Sequence, residues 1–408
     1  MRLAQLTLGA LGALALAGCS AGYSGVDSAA AVADAPLAPV QLNPPPAVDQ
    51  SELQVLFWDD ATRSARFRDM ESWFAGHEVP AATRQRILQP GAPLSPDLVS
   101  DLRKVLKDTN AAGIMVLQGG QIRFEEYGLG LGAEDRWTSF SVAKSFTSTL
   151  LGAAVADGFI ESLDDPVTKY IPELTGSAYD GVSVRHIATM TSGVAWNEDY
   201  TDPNSDVAAM NRFVLEYGPD AIVAQMKTLK REAEPGEKWV YKTGETNLIG
   251  LLVENAVGQS LAEYSQEKIV EPAGFAGDMF WMVDPRGGNI GGCCLSLRLS
   301  DYARMGQFAL EGGEGIVPDG WFAEAGDSLV DFGDGGFGYG YQWWTYPGGN
   351  YGAQGIFGQS ITLVPEKQLV VAVVSNWPTA TSGTARGQMR AVVNKIAENT
   401  EFKEPEVR

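Results

Sequence analysis

The sequence predicts an α/β domain of the α+β kind: an antiparallel sheet built from both ends of the domain, flanked by helices, with a largely helical insertion between. Three observations predict it. Residues 113–127 read as two strands joined at Gly119-Gly120, a hairpin signal. Strand patterning returns at 337–343, 355–364 and 369–374, first as alternating aromatics and then as β-branched runs. Between these ends, residues 183–335 carry mostly helical patterning cut by Gly, Pro and Asp loops.

The elements follow in order. Residues 1–18 form a secretory signal peptide, in which Arg2 precedes a short apolar run that ends in small residues. Leu16-Ala17-Gly18-Cys19 resembles the bacterial lipobox, which implies cleavage before Cys19 and a lipid on its thiol. Ser20 then implies an outer-membrane address on the periplasmic side. Residues 19–50, rich in Ala, Pro and Ser, cannot bury a core and read as a tether. The folded domain is expected over 51–400, with a charged tail at 401–408. The mature protein should therefore partition with membranes, and Cys19→Ala should lose the lipid. An unmodified Cys19 in the mass spectrum of protein from the native host would contradict the anchor.

Within the domain, 98–106 has helical periodicity and the hairpin follows. A buried helix then begins near residue 139, with Thr138 or Ser139 as its cap and Gly158 as its stop. Residues 164–174 are a helical turn fenced by prolines, 347–350 a turn, and 383–398 a closing helix.

Composition narrows the partners. Hydrophobic residues at 45% supply an ample core for a chain of 408 residues. With 51 acidic against 30 basic residues the formal charge is −21, which argues against nucleic acid and against direct binding to an anionic membrane. Membrane contact is left to the N-terminal lipid anchor. Cys293 and Cys294 are adjacent and are expected as two reduced, partly buried thiols, since a vicinal disulfide needs a strained ring.

The chemistry centres on Ser141-Val-Ala-Lys144. At the start of a helix, residues three apart share a face, so Lys144 lies over Ser141. A serine hydroxyl becomes a nucleophile when a base takes its proton, and a lysine whose site favours the neutral amine can be that base. The helix N-terminus adds N–H groups for an oxyanion. The same letters also describe an ordinary capped helix, so context has to decide.

Context comes from Ser141–Lys144, residues 158–167, 184–193 with His186, and Tyr241 after Pro235-Gly236, in that order. Order and spacing resemble the serine β-lactamase and penicillin-binding superfamily, on its class C and esterase side. Trp196-Asn-Glu-Asp-Tyr200, residues 241–247 and 355–359 are similar to the 6-aminohexanoate-dimer hydrolase group. The resemblance implies a β-lactamase/transpeptidase-like fold and a catalytic set of Ser141, Lys144 and Tyr241. It implies oxyanion donors from the backbone N–H groups of Ser141 and Ile356. Thr243 stands where the family's Tyr-x-Asn motif has its asparagine. Ala353-Gln354-Gly355 stands where Lys-Thr-Gly would be, so the edge strand lacks the cation that holds a substrate carboxylate. Trp344, Tyr346 and Gln354 are the candidates for the substrate pocket.

Bland alternatives remain for some of these residues. Lys242 reads as a solvated or structural charge, and His186 as structural, since the chain has no Gly-x-Ser-x-Gly elbow. No metal-ligand spacing or phosphate loop is present, so no cofactor is expected. The function expected is a lipid-anchored serine hydrolase that acts on small-molecule esters or short amides. A β-lactamase or D-Ala-D-Ala carboxypeptidase is the alternative, and a catalytically silent envelope-binding lipoprotein the rival from another class.

Overall fold

The hairpin and the last strand of the chain bind each other, and that pairing sets the architecture. In the computed structural model, which describes residues 36–402 except 314 and 334, the strands run in chain order as follows. First come β1 (Gln41–Asn43), β2 (Gly76–Val79), β3 (Ala111–Gln118), β4 (Gln121–Tyr127) and β5 (Arg136–Thr138). Then follow β6 (Met279–Met282), β7 (Leu295–Arg298), β8 (Val330–Asp331), β9 (Gly338–Tyr339) and β10 (Trp344–Tyr346). The last are β11 (Asn350–Gln354), β12 (Ser360–Val364) and β13 (Leu369–Ser375). Gly119 and Gly120, at φ +55° and +74°, make the two-residue turn between β3 and β4. β13 pairs antiparallel with β3, which closes an eight-stranded sheet in the order β4-β3-β13-β12-β11-β10-β9-β8.

Alternation along β13 divides the core. Val370, Ala372 and Val374 face the larger core, shared with the helices between the two halves of the sheet. Leu369, Val371 and Val373 face the other side, packed under helices Pro96–Asp108 and Gly383–Asn399. Both helices appear where their periodicity places them, and Ser95 caps the first by accepting from Leu98 N.

Several expectations are corrected. A second, five-stranded sheet exists, in the order β1-β2-β6-β7-β5, where a single sheet was expected. Strands β6 and β7 have four residues each, too few for periodicity to separate them from helix. The aromatic run 337–343 is interrupted after β9, and Gln342 takes φ +61°. The run 355–364 is not one strand: a turn over Ile356–Gly358, with Phe357 at φ 57°, separates β11 from β12. β1 lies inside the stretch expected as a tether and pairs with β2, and the compact unit begins at Ala38. Cys293 and Cys294 are joined as a vicinal disulfide rather than standing as two thiols. The signal peptide, Cys19 and tail residues 403–408 lie outside the described residues.

Candidate active site

Ser141 stands in a single 3-10 turn, Phe140–Val142, that feeds the buried helix Ala143–Ala156. Neither Thr138 nor Ser139 caps that helix, contrary to expectation. Ser139 instead ties the turn to the second sheet: its N–H donates to Leu295 O at 2.7 Å and its Oγ accepts from Leu295 N at 2.8 Å. Phe140 is held at φ +44°, a left-handed conformation that costs a non-glycine residue about 1–3 kcal/mol. Its ring is pinned between Phe67 and Phe357, with centroids at 5.0 and 5.4 Å. The helix stops where expected, at Gly158 with φ +78°.

Lys144 is 1% exposed, and its surroundings define its role. Its Nζ donates to Thr243 Oγ1 at 3.0 Å and to the Gly292 carbonyl at 2.8 Å. Gly292 is itself held by its N–H, which donates to Asn247 Oδ1 at 2.9 Å. A neutral amine has two N–H bonds and one lone pair, so these two acceptors leave the lone pair available. Burial brings the amine down to about 8, and the Glu198 carboxylate opposes that shift. Lys144 Nζ also lies 5.3 Å from the centroid of the Tyr241 ring.

The Ser141 side chain acts directly on the Tyr241 phenol, which brings the three predicted catalytic residues together. Burial, and after it the charge of Glu198, push its phenol up, while Ser141 and Arg386 pull the other way. It therefore remains a protonated donor near neutral pH. The aromatic run explains this desolvation. Trp344 stacks on Tyr241 at 5.6 Å, and Tyr339 meets it edge-on at 6.1 Å.

Glu198 is the participant that sequence reasoning missed, although it sits inside the quoted 196–200 run. Its carboxylate accepts from Thr243 N at 3.0 Å, Tyr200 OH at 2.8 Å, Thr243 Oγ1 and Trp196 Nε1. It thus caps helix Thr243–Val257 from outside, where the helix dipole favours an anion. Thr243, at the family's asparagine position, links Glu198 to Lys144 through one hydroxyl.

The two predicted oxyanion donors come close together. A β-carbon at Gly355 would lie 2.6 Å from Ser139 O and 3.2 Å from Ser141 N, so only glycine permits that approach. Ile356 follows directly.

The predicted substrate pocket is less well matched. A cavity of about 480 Å³ opens on Ser141 and is lined by Phe140, Thr243, Ile356 and the Cys293–Cys294 pair among others. Tyr346 and Gln354 are not part of it. They hydrogen-bond each other and line a separate cavity of about 160 Å³ with Arg386 and Arg390. Trp344 reaches the site only through Tyr241. Arg386 Nη2 donates to Gly355 O at 3.4 Å, so a cation does stand at this strand end, supplied by the C-terminal helix. Lys242 is not solvated: it is fully buried and pairs with Glu245 at 3.6 Å. His186 Nδ1 accepts from Ser183 N at 3.2 Å and closes a capping box, a structural role.

Comparisons with known proteins show the family and the fold. The β-lactamase family model matches residues 99–287. The 6-aminohexanoate-dimer hydrolase of Paenarthrobacter ureafaciens is 30% identical over 331 residues, 74% of this chain and 84% of that one. A 6-aminohexanoate-dimer hydrolase structure from Bacillus anthracis superposes with TM-score 0.72 at 21% identity, over 84% of this chain and 94% of that one. A class C β-lactamase follows at TM-score 0.57 and 19% identity, over 76% of this chain and 97% of that one. With a Ser-x-x-Lys helix start in such a fold, the chain belongs to the β-lactamase family of serine hydrolases, as a homologue of 6-aminohexanoate-dimer hydrolase.

Proposed function

We propose that this protein hydrolyses carboxylic esters or short linear amides through an acyl-enzyme on Ser141. The observation that carries this reading is a nucleophile-and-base pair in one helix turn, with Lys144 desolvated to a pKa of about 8. Lys144 accepts the hydroxyl proton as Ser141 Oγ attacks the carbonyl carbon. The oxyanion is held by the N–H groups of Ser141 and Ile356, a pair of donors worth several kcal/mol at the transition state. Tyr241 gives its proton to the leaving group and regains one from Lys144. Water, deprotonated by the same pair, then releases the acid. A relative named for a linear amide dimer supports the substrate class.

Tyr241→Phe should lower kcat on an unactivated ester by at least about a hundredfold, the scale of a lost general acid. The effect should shrink on p-nitrophenyl esters, whose leaving group needs little protonation. Equal losses on both substrates would remove the proton-transfer role.

One observation favours a second reading. Arg386 beside Gly355 offers a charged partner to a substrate carboxylate, as a β-lactam or a peptide stem carries. Ala353 on the strand itself offers none. We expect kcat/KM on p-nitrophenyl butyrate to exceed that on nitrocefin. Should nitrocefin win, and Arg386→Ala abolish that preference, the carboxylate-directed reading replaces the ester one.

A further inference from the structure

We infer that the Ser141 cavity takes a linear apolar acyl chain of medium length, about six to eight carbons by its volume, and rejects one that ends in an ammonium group. This rests on Ser141 being the acylated residue.

Orientation comes first. The cavity borders Ser141, Ile356 and Thr243, whereas Tyr241, the donor to the leaving group, does not line it. The open space therefore lies on the acyl side of the scissile bond. Its volume of about 480 Å³ equals roughly sixteen water-sized groups, room for a carboxyl, a medium chain and part of a leaving group.

The walls set the polarity. Leu56 and Phe74 from the N-terminal segment face Val207 and Met210 of helix Asp206–Tyr217, with Met282 and Ile290 also in the lining. No Asp or Glu is among its described lining residues, and the charge it does carry is the cation of Arg212.

The carboxylates nearby are engaged elsewhere. Glu198 accepts from Trp196, Tyr200 and Thr243. Asp199, Asp202 and Asp206 accept the backbone N–H groups of Thr201, Asn204 and Asn197, which commits them to local turns. An ammonium at the chain end would lose its water, find no anion and face Arg212. A methyl end pays none of these costs.

The test uses the full chain and p-nitrophenyl esters from acetate to dodecanoate, together with the 6-aminohexanoate ester. From acetate to hexanoate, kcat/KM should rise about fourfold per methylene, then level off or fall beyond about octanoate. Hexanoate should exceed 6-aminohexanoate by at least about tenfold. Met210→Glu, and separately the exposed Arg212→Glu, should each narrow that ratio severalfold by supplying an anion or removing the cation. A flat chain-length profile, or equal rates for the two six-carbon esters, overturns the inference. Fluorophosphonate labelling separates the two levels. With Ser141 labelled, such results sink only the pocket assignment, whereas no label and no turnover on any ester sinks the serine reading with it.

Discussion

Ser141→Ala is expected to abolish covalent labelling by a fluorophosphonate and to lower ester turnover by at least about a thousandfold, toward what binding and the oxyanion donors achieve alone. The reason is positional. Neighbouring serines on the same stretch are spent on structure: Ser139 bonds Leu295, Ser145 Oγ donates to Gln342 O at 2.8 Å, and Ser148 Oγ donates to Tyr341 O at 2.6 Å. Ser141 alone among them lines the cavity and acts on the Tyr241 phenol. Thr243 Oγ1 also lies 3.0 Å from Lys144, but its proton is already given to Glu198. Intact-mass and peptide analysis of labelled wild type and variant would decide the matter. Label that persists in Ser141→Ala would move the nucleophile elsewhere.

Lys144 should give the second largest effect, and pH exposes it. If the neutral amine is the base, kcat/KM should rise with pH and reach its plateau above about 8. Below that value it should fall about tenfold per pH unit, as the neutral fraction does. Lys144→Met should cost a hundredfold to ten-thousandfold, on the order of general-base catalysis, and erase that limb. The stability sign is opposite to that of a salt-bridged lysine. Because the folded-state value lies below the ordinary 10.5, the unfolded chain holds the extra proton between about 8 and 10.5, so this residue makes the fold gain stability as pH rises through that window. Below it the buried charge is a standing cost. A Lys144→Met protein that stays folded, loses turnover and loses the limb supports the base. A limb unchanged in position would assign it to another group.

The disulfide beside Gly292 bears on the same lysine. Gly292 O is one of the two acceptors on Lys144, and Cys293–Cys294 follows it directly along the cavity wall. The chain signals only that two cysteines are adjacent. Their bonded state depends on how the loop between β6 and β7 is folded against the helix that carries Thr243 and Asn247.

By itself the sequence determined what short-range pattern can encode. The hairpin at Gly119-Gly120, the β-branched run of β13, the Ser-x-x-Lys spacing and the glycine before Ile356 are each written within a few residues. Their consequences needed no long-range information, and a family resemblance followed from their order. Tertiary structure alone decided the electrostatics and the shape of the pocket. Glu198 lies 54 residues past Lys144 in the chain, and its influence on Lys144 and Tyr241 exists only because helix Thr243–Val257 brings the segments together. The same holds for Arg386, delivered to Gly355 by the last helix, and for Leu56 and Met210, which meet across the cavity. Tyr346 and Gln354 belonged to the right strands, but they line a different cavity. A pKa depends on burial and on charges in space, and a cavity on which surfaces fail to touch, neither of which has any period along a chain.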